Sequence, residues 1–245
     1  MAGVAVTVTA TAIWDGVYAS FAEAPVSGPG FRGDTWLERS RAEAVAPLTD
    51  TVRQRHAALV HLVAGWLCYQ PWVRIFDLGG GLGSGYRALH EAIPRVADRV
   101  AYASIDLPSI AEAAMDIWGG SRTYPVFTSD WPYGGFDLVY AASSLQYFDN
   151  WREILGTLLA YQPKAVLLAD VFAGPIPSFV TVQHYYGSYI PQWFLNRAEL
   201  ERVFKEQGYR LAMARPTQHQ IPMDNFPATH QIPHTLDLLF QKATS

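Results

Sequence analysis

A glycine-rich turn between a predicted strand and a predicted helix constrains this sequence more strongly than any other feature. Residues 77–83 read Asp-Leu-Gly-Gly-Gly-Leu-Gly, follow the mostly apolar run 73–76 and precede a segment at 85–93 that can be helical. Glycine at alternate positions lets the backbone adopt a positive φ and approach a ligand closely. The N-terminus of the following helix presents free N–H groups and partial positive charge. The pattern therefore predicts a binding site for a nucleotide-like ligand.

The spacing of the glycines distinguishes between two such ligands. Residues 77–83 fit the pattern D-x-G-x-G-x-G of Rossmann-like enzymes that bind S-adenosylmethionine (SAM), whereas residues 83–88 match the dinucleotide pattern G-x-G-x-x-A. The carboxylate of Asp77 can accept hydrogen bonds, directly or through water, from the cationic amino-acid end of SAM, and it would repel a pyrophosphate. The spacing favours SAM, and a tight turn without a ligand is the alternative interpretation.

An aspartate ends the second predicted strand. Asp106 follows the apolar run 100–105, about one helix and one strand after the glycines. Its carboxylate can hold a ribose diol through two charge-assisted hydrogen bonds, and Leu107 can flank an adenine. SAM and NAD both contain a ribose, so Asp106 supports nucleotide binding without separating the two. The alternative is that Asp106 caps the predicted helix at 110–118.

A polar pair, Ser129 and Asp130, follows the third predicted strand at 123–128. A pair at this position holds the adenine amino group in SAM enzymes. An aspartate beside Trp131 and Pro132 is equally typical of an ordinary turn. Both interpretations stay open.

The exit of the fourth predicted strand is expected to lie over the reactive methyl group of the cofactor. Residues 136–140 are typical of a buried parallel strand, and small residues such as Ala142 follow them, which leaves room for a substrate. Gln146 and Tyr147 are polar groups that can orient it. We therefore predict that Gln146 and Tyr147 take part in catalysis.

The order of these motifs resembles class I SAM-dependent methyltransferases over roughly residues 13 to 215. Shorter segments resemble a subgroup of bacterial methyltransferases associated with polysaccharide and secondary-metabolite clusters, namely 13–18, 36–38, 79–84, 145–147 and Gln183. The resemblance implies SAM as the methyl donor and S-adenosylhomocysteine (SAH) as the product. The implied cofactor-binding residues are Asp77, Gly79, Gly80, Gly81, Gly83, Ser84, Asp106, Leu107, Ser129, Asp130 and Ala142.

The alternation of strands and helices predicts an α/β fold. Strands are predicted at 72–77, 100–106, 123–128, 136–142 and 164–171, and helices at 84–93, 109–118 and 150–161. This order favours a Rossmann-like, mostly parallel sheet with helices on both faces. An antiparallel pair at 209–214 and 236–241 would complete seven strands, as in the class I methyltransferases.

Two regions depart from this alternation. Residues 13–50 combine aromatic residues with turn formers, a composition typical of a cap or lid rather than a sheet, and residues 1–12 can form an edge strand or a disordered start. We predict residues 1–50 as the N-terminal cap. Residues 51–245 predict the SAM-binding catalytic domain. Within it, the segment 172–195 contains three prolines and predicts an irregular insert near the substrate.

The composition argues against nucleic-acid and membrane partners. The 245 residues carry a net charge of −4 and no block of Lys and Arg, which disfavours electrostatic capture of nucleic acid. The sequence has no apolar run approaching 18 residues and no signal-like N-terminus. It also lacks the CxxC and HExxH spacings that are typical of metal ligands. Its single cysteine, Cys68, indicates a reducing compartment. We predict a cytoplasmic protein with a small-molecule substrate, and the sequence leaves a homodimer open.

Histidines are the candidate bases, because methyl transfer to an O–H or N–H group requires removal of a proton. His184, in the predicted insert, is the first candidate, and a packing role for it is equally open. His219, in the predicted loop between the last two strands, is a weaker candidate. Trp14, Tyr18 and Trp36 can roof the pocket or anchor the cap on the core.

The predicted function is SAM-dependent methyl transfer to an O, N or C atom of a small molecule. The resemblance implies a sugar-linked or natural-product acceptor. The alternatives are an NAD(P)-dependent oxidoreductase, which Asp77 directly before the glycines disfavours, and a SAM-binding protein without transferase activity.

Overall fold

The computed structural model describes residues 12–119 and 125–243. The strands are β1 (Trp14–Tyr18), β2 (Val73–Leu78), β3 (Val100–Ile105), β4 (Val126–Thr128), β5 (Leu138–Ala142), β6 (Ala165–Val171), β7 (Ala173–Gly174), β8 (Phe179–Tyr185), β9 (Ser188–Asn196), β10 (Tyr209–Gln220) and β11 (His234–Lys242). The helices are α1 (Asp34–Val45), α2 (Asp50–Trp66), α3 (Ser84–Ala92), α4 (Pro108–Trp118), α5 (Trp151–Ala160) and α6 (Arg197–Glu206). Short 3-10 helices lie at Gly30–Arg32, Val96–Asp98, Leu145–Tyr147 and Ala228–His230. Residues 1–11 of the predicted cap and 123–124 of the third predicted strand lie outside the described residues.

The main sheet has seven strands in the order β10-β11-β6-β5-β2-β3-β4. The strands β2 to β6 pair in parallel, while β11 is antiparallel to both β6 and β10. The carboxyl ends of the parallel strands therefore meet along one edge, which we call the carboxyl edge. The prediction of a Rossmann-like, mostly parallel, seven-stranded sheet is confirmed.

Helices cover both faces of the main sheet because successive side chains of a strand point to opposite faces. Ile75 of β2 is fully buried in a cluster with Leu59 of α2 and Leu89 of α3. Its neighbour Phe76 is fully buried on the other face, in a cluster with Leu155 of α5. Each such side chain contributes about 1.5–3 kcal/mol through burial. This two-sided burial explains why the central strands have almost continuous apolar sequences.

A second sheet of four strands, in the order β1-β8-β9-β7, forms from residues that we expected to lack strands. The strand β1 pairs antiparallel with β8, and β8 forms a hairpin with β9. The expectations of an irregular insert at 172–195 and of a cap without strands were therefore wrong. The hairpin turn is Tyr186–Gly187, whose φ angles of 47° and 72° match a two-residue turn. The prolines of the segment concealed this signal because proline is typically depleted in strands.

Helix α1 of the N-terminal cap lies against α4. Trp36 of α1 packs on a cluster that includes Leu82 and Ile110. Arg41 of α1 forms an exposed ion pair with Asp116 of α4 at 3.0 Å. Because exposed ion pairs stabilise little, the apolar contact of Trp36 is the main attachment of α1.

The strand β10 is longer than predicted and ends at Gln220, so His219 lies in a strand and not in the predicted loop. In the described parts of the chain, no helix is long and apolar enough to cross a membrane. Across 12–119 and 125–243, no group of three His, Cys, Asp or Glu side chains is arranged to hold a metal ion.

Candidate functional site

The glycine turn lies at the carboxyl edge, between β2 and α3. Gly79, Gly81 and Gly83 have φ angles of 67°, 57° and 85°. The N–H of Gly79 donates to the carbonyl of Ile105 at the end of β3, at 2.8 Å. A Cβ atom on Gly81 would meet no protein atom within 4 Å, so this part of the turn borders open space.

Asp106 joins the glycine turn to the end of β3. Its Oδ2 accepts a hydrogen bond from the N–H of Gly81 at 2.8 Å, and its Oδ1 accepts one from the N–H of Leu107 at 2.7 Å. Burial raises the pKa of Asp106, and these two hydrogen bonds oppose the increase. A carboxylate can accept about four hydrogen bonds, so each oxygen can still accept another.

A cavity of about 250 Å³ lies over the turn, and we call it the glycine-turn cavity. Its wall consists of Phe31, Trp36, Gly79, Gly81, Asp106, Leu107, Ile110, Ser144, Tyr147 and Phe148. The ring of Phe31 meets Tyr147 edge-on, with centroids 4.8 Å apart, and Trp36 edge-on, with centroids 5.7 Å apart. The N-terminal cap therefore supplies an aromatic wall opposite the glycines.

Asp77 lies at the end of β2 beneath the turn and is not part of the cavity wall. It is 2% exposed; its Oδ2 accepts from the hydroxyl of Tyr102, and its Oδ1 has no partner among the described residues. A Cβ atom on Gly80 would overlap Oδ2 and the Oγ of Ser104, so glycine lets the turn rest on this carboxyl group. Burial raises the pKa of Asp77 to about 7; the Tyr102 hydrogen bond opposes this and the charge of Asp106 adds to it.

No protein-family profile and no curated protein sequence matches this chain, whereas many solved structures resemble its fold. Magnesium protoporphyrin IX methyltransferase (ChlM) from Synechocystis PCC 6803, with bound SAM, is 14% identical with a TM-score of 0.57, and the match covers 87% of this chain and 94% of that one. The fold is that of class I SAM-dependent methyltransferases. The 1,6-didemethyltoxoflavin-N1-methyltransferase of Burkholderia thailandensis is 17% identical, with a TM-score of 0.54 and coverage of 91% and 93%. CalS10, an amino pentose methyltransferase from Micromonospora echinaspora, is 11% identical, with a TM-score of 0.52 and coverage of 84% and 94%.

In this class I methyltransferase fold, three further predicted residues lie near the glycine turn but outside the cavity wall. Gly83 directly precedes α3. The hydroxyl of Ser84 is hydrogen-bonded to His56 Nε2 at 2.9 Å and is therefore engaged with α2. Ala142 is half-buried at the end of β5. Contact of Ser84 or Ala142 with a ligand stays a prediction.

Ser129 and Asp130 are not part of the glycine-turn cavity wall. Both are exposed in a bend after β4, and the N–H of Asp130 donates to Thr128 Oγ1 at 3.0 Å. This hydrogen bond is typical of a local turn. A contact of either residue with adenine stays a prediction.

The two predicted substrate-orienting residues, Gln146 and Tyr147, lie in the 3-10 helix that follows β5. The hydroxyl of Tyr147 donates to Gln183 Oε1 of β8 at 2.7 Å, and burial raises the pKa of this hydroxyl. Gln146 is fully buried and donates through Nε2 to Ser143 Oγ at 3.2 Å. Its Oε1 has no partner among the described residues. Of the two, Tyr147 alone lines the glycine-turn cavity.

His184 lies on the wrong side of β8 for the role we predicted. Gln183 and Tyr185 face Tyr147 and Phe31, so the side chain between them points to the opposite face of the strand. There the His184 ring stacks on Tyr189, with centroids 4.6 Å apart. The expected place of His184 beside the cofactor edge is therefore corrected.

A second and larger cavity, of about 610 Å³, lies at the same edge of this class I fold. We call it the polar cavity; its wall comes from residues 51–57 of α2, Asp170 of β6 and residues 215–220 of β10. Sequence reasoning considered His219 alone among its charged or titratable residues. The others, Arg55, Asp170 and Arg215, carry no local signal, since they come from three segments that are at least 45 residues apart in the chain.

Asp170 is the most densely bonded side chain of the polar cavity. It is 2% exposed, and its Oδ1 lies 3.0 Å from His219 Nδ1 and accepts from the hydroxyl of Thr235. Its Oδ2 lies 3.2 Å from Arg55 Nε, and its own N–H donates to Asp237 Oδ1 at 3.1 Å. Burial alone would raise the pKa of Asp170, but His219, Thr235 and Arg55 together hold it below its usual range.

Proposed function

We propose that this protein transfers a methyl group from SAM to an O, N or C atom of a small molecule and releases SAH. The observation that carries the proposal is the glycine-turn cavity, in which open glycine backbone, a strand-end carboxylate and an aromatic wall converge. The same fold in solved structures that bind SAM or SAH supports it.

The residues around the cavity fit SAM. Asp106 uses one hydrogen bond on each oxygen and retains two acceptor positions, which suit the two hydroxyls of a ribose. Leu107 and Ile110 offer apolar contact for an adenine. Asp77 has a buried oxygen without a partner among the described residues, and it would attract the ammonium group of SAM through the turn or through water.

SAM brings an activated methyl group. The protein therefore has to bind SAM and the acceptor, orient them and exclude water. Phe31, Trp36 and Tyr147 form the wall opposite the glycines and would keep water from the reacting atoms. The hydrogen bond from Tyr147 to Gln183 ties the main sheet to the second sheet at this point. The cap and the second sheet would thus close the site.

The proposal includes a sugar-linked or natural-product acceptor. It is supported by the resemblance of short segments to methyltransferases of polysaccharide and secondary-metabolite clusters. Two proteins of the same fold are named for a toxoflavin precursor and an amino pentose. We also retain residues 1–50 as a cap on a catalytic domain at 51–245, in a cytoplasmic protein that does not bind nucleic acid.

Calorimetry tests this proposal, using protein stripped of endogenous ligand and titrated with SAM, SAH and NAD. We expect binding of SAM and SAH and no binding of NAD. Asp106→Asn should weaken SAH binding at least about tenfold. The two carboxylate oxygens of Asp106 each accept from a backbone N–H, whereas the amide of asparagine has one oxygen and would place its NH2 group against one of these two donors. The exposed Asp224→Asn is the matched control and should bind as the wild type does.

Each other outcome points to a different function. Binding of NAD without SAH would overturn the proposal in favour of an oxidoreductase. Binding of SAH with no transfer of a tritiated methyl group to any acceptor in a small-molecule panel would favour a SAM-binding protein without transferase activity.

A further inference from the structure

The polar cavity is larger than the glycine-turn cavity and has a different chemical character. Of the described residues in its wall, Ala57 and Pro216 alone are apolar. Arg55 enters from α2 and Arg215 from β10, and each is paired with a buried carboxylate, Asp170 or Asp237. The charges are therefore balanced, and amide, hydroxyl and guanidinium groups lie beside the apolar surface of the wall. Such a wall suits a neutral ligand with many hydroxyl or amino groups.

The walls of the two cavities include residues at the ends of neighbouring strands. The N–H of Ser143, just after β5, donates to the carbonyl of Ala169 in β6 at 2.9 Å. The residues that follow this hydrogen-bonded pair line different cavities. Ser144, after Ser143, lines the glycine-turn cavity, and Asp170, after Ala169, lines the polar cavity. A ligand in the polar cavity would therefore lie beside the site that we propose for SAM.

The backbone at this junction is held in an uncommon conformation. Ser143 and Asp170 have φ angles of 51° and 53°, which non-glycine residues rarely adopt. Such a conformation is unfavourable and persists where surrounding contacts enforce it. For Asp170 those contacts are His219, Thr235 and Arg55. The enforced backbone conformation thus orients the Asp170 carboxylate toward His219.

The hydrogen bonds of Asp170 determine which nitrogen of His219 carries the proton. An ionised carboxylate accepts hydrogen bonds and donates none. Because Asp170 Oδ1 faces His219 Nδ1, the neutral ring must carry its hydrogen on Nδ1 and leave a lone pair on Nε2. The His219 side chain is 39% exposed, so its ring is accessible from the cavity. This is the arrangement of a general base held by a carboxylate.

We infer that the polar cavity binds the methyl acceptor, a sugar-like molecule with hydroxyl or amino groups, and that His219, oriented by Asp170, removes the acceptor's proton. This inference rests on the proposed methyl transfer. The nucleophilic oxygen or nitrogen of the acceptor forms a bond to the methyl carbon as the C–S bond breaks. The sulfur keeps the electron pair and becomes neutral, and the acceptor's proton moves to His219 Nε2. Asp170 is a positioning residue.

Nuclear magnetic resonance tests the orientation without any acceptor. In SAH-loaded protein labelled with ¹⁵N-histidine, long-range ¹H–¹⁵N correlations report the tautomer of His219, which is assigned by its loss in His219→Gln. We expect the neutral ring to be protonated on Nδ1 and expect Asp170→Asn to weaken this preference. A neutral ring protonated on Nε2 in the wild type would overturn the inference.

Methyl transfer tests the catalytic role and the acceptor class. The probes are p-nitrophenyl β-D-glucosaminide, which carries an amine and hydroxyls, and quercetin, a planar phenol, with tritiated SAM as donor. We expect transfer to the glucosaminide, a fall in kcat of about 100-fold or more in His219→Gln, and a smaller fall in kcat in Asp170→Asn. SAH affinity should stay within about twofold in both variants. His61→Gln is the matched control, since His61 is exposed on α2 and outside both cavity walls.

The outcomes separate failure of this inference from failure of the proposed function. Wild-type protein that does not bind SAH would overturn the proposed function itself. Normal SAH binding with equal kcat in His219→Gln would overturn the role of His219 alone. Transfer to quercetin but not to the glucosaminide, or transfer to neither probe while SAH binding is intact, would overturn the acceptor class.

Discussion

Two buried aspartates, Asp77 beneath the glycine turn and Asp170 in the polar cavity, show how differently one residue type behaves at the same edge of the sheet. Both are 2% exposed at the carboxyl ends of parallel strands. Asp77 receives a single side-chain hydrogen bond, from Tyr102, and its pKa rises to about 7. The carboxylate of Asp170 contacts the side chains of Arg55, His219 and Thr235, and these contacts hold its pKa below the usual range. The fold supplies positive charge beside Asp170, and our proposal assigns the same part at Asp77 to the ammonium group of SAM.

The two regions also differ in how they are assembled. The glycine-turn cavity takes its open glycine backbone and its carboxylate from two short turns, at 79–83 and 106–107, each continuous with its strand. The polar cavity takes its polar groups from three segments, residues 51–57, Asp170 and residues 215–220, which lie far apart in the chain. A local motif therefore identifies the first region, and long-range packing alone creates the second.

The largest expected effect is at Asp77. Its folded pKa of about 7 exceeds the unfolded value, so the stability linked to its protonation is complete below about pH 4 and is lost as pH rises through 7. Asp77→Asn should therefore gain up to about 4 kcal/mol in unfolding free energy over the wild type between pH 4 and 8. Urea unfolding at several pH values measures this, with Asp224→Asn as the control. If the unfolding free energies of the wild type and Asp77→Asn changed in parallel with pH, the contrast between the two aspartates would disappear.

The same substitution at Asp170 should act in the opposite direction. Asp170→Asn leaves Arg55 and His219 against a neutral amide and should lower the unfolding free energy by about 3 kcal/mol at pH 8. Because the folded pKa is depressed, the deficit should shrink as pH falls through that value and the wild-type carboxyl itself protonates. The same urea series measures it. A stabilised Asp170→Asn at pH 8 would mean that its partners do not compensate its burial.

A smaller effect is expected at Gly81. Gly81→Ala forces alanine to adopt a φ of 57°, which should cost about 1 kcal/mol of stability. Its methyl group would enter the open space beside the turn and should weaken SAH binding about tenfold, a change of about 1.4 kcal/mol. Gly65→Ala, in α2 with open space around it, is the control and should not weaken binding. Unchanged SAH affinity in Gly81→Ala, measured by calorimetry, would place the ligand elsewhere.

The smallest effect is expected at His184. Because its ring lies on the face of β8 away from both cavities, His184→Gln should change stability by less than about 0.5 kcal/mol. Methyl transfer to the glucosaminide should stay within about twofold of the wild type. A tenfold loss of kcat with normal SAH binding would restore His184 as the base and weaken the role of His219.

The glycine turn and the central strands could be predicted because their signals are local. The D-x-G-x-G-x-G spacing, the apolar run of β2 and the acid after β3 each reflect a backbone requirement within a few residues. The fold class followed from these and is confirmed. The cofactor roles of Asp77 and Asp106 stay predictions, although the structure brings Asp106 to the cavity and leaves Asp77 beneath it.

The second sheet and the place of His184 could not be predicted in the same way. The strand β8 depends on pairing with β1, which lies more than 160 residues earlier in the chain. Once a strand forms, a shift of one residue moves a side chain to the other face. Gln183 and Tyr185, and not His184, thus face Tyr147 and Phe31 of the glycine-turn cavity wall.

The sequence by itself determined the β2–glycine turn–α3 unit, the parallel order around it and the acidic strand ends, because these depend on backbone conformation and apolar periodicity over short distances. The tertiary structure alone decided the protonation of the buried aspartates. It also decided the pairing of β1 with β8 and the meeting of Arg55, Asp170 and His219 in one cavity. Burial and hydrogen-bond partners determine a pKa or a proton acceptor, and chain folding brings those partners together from distant segments.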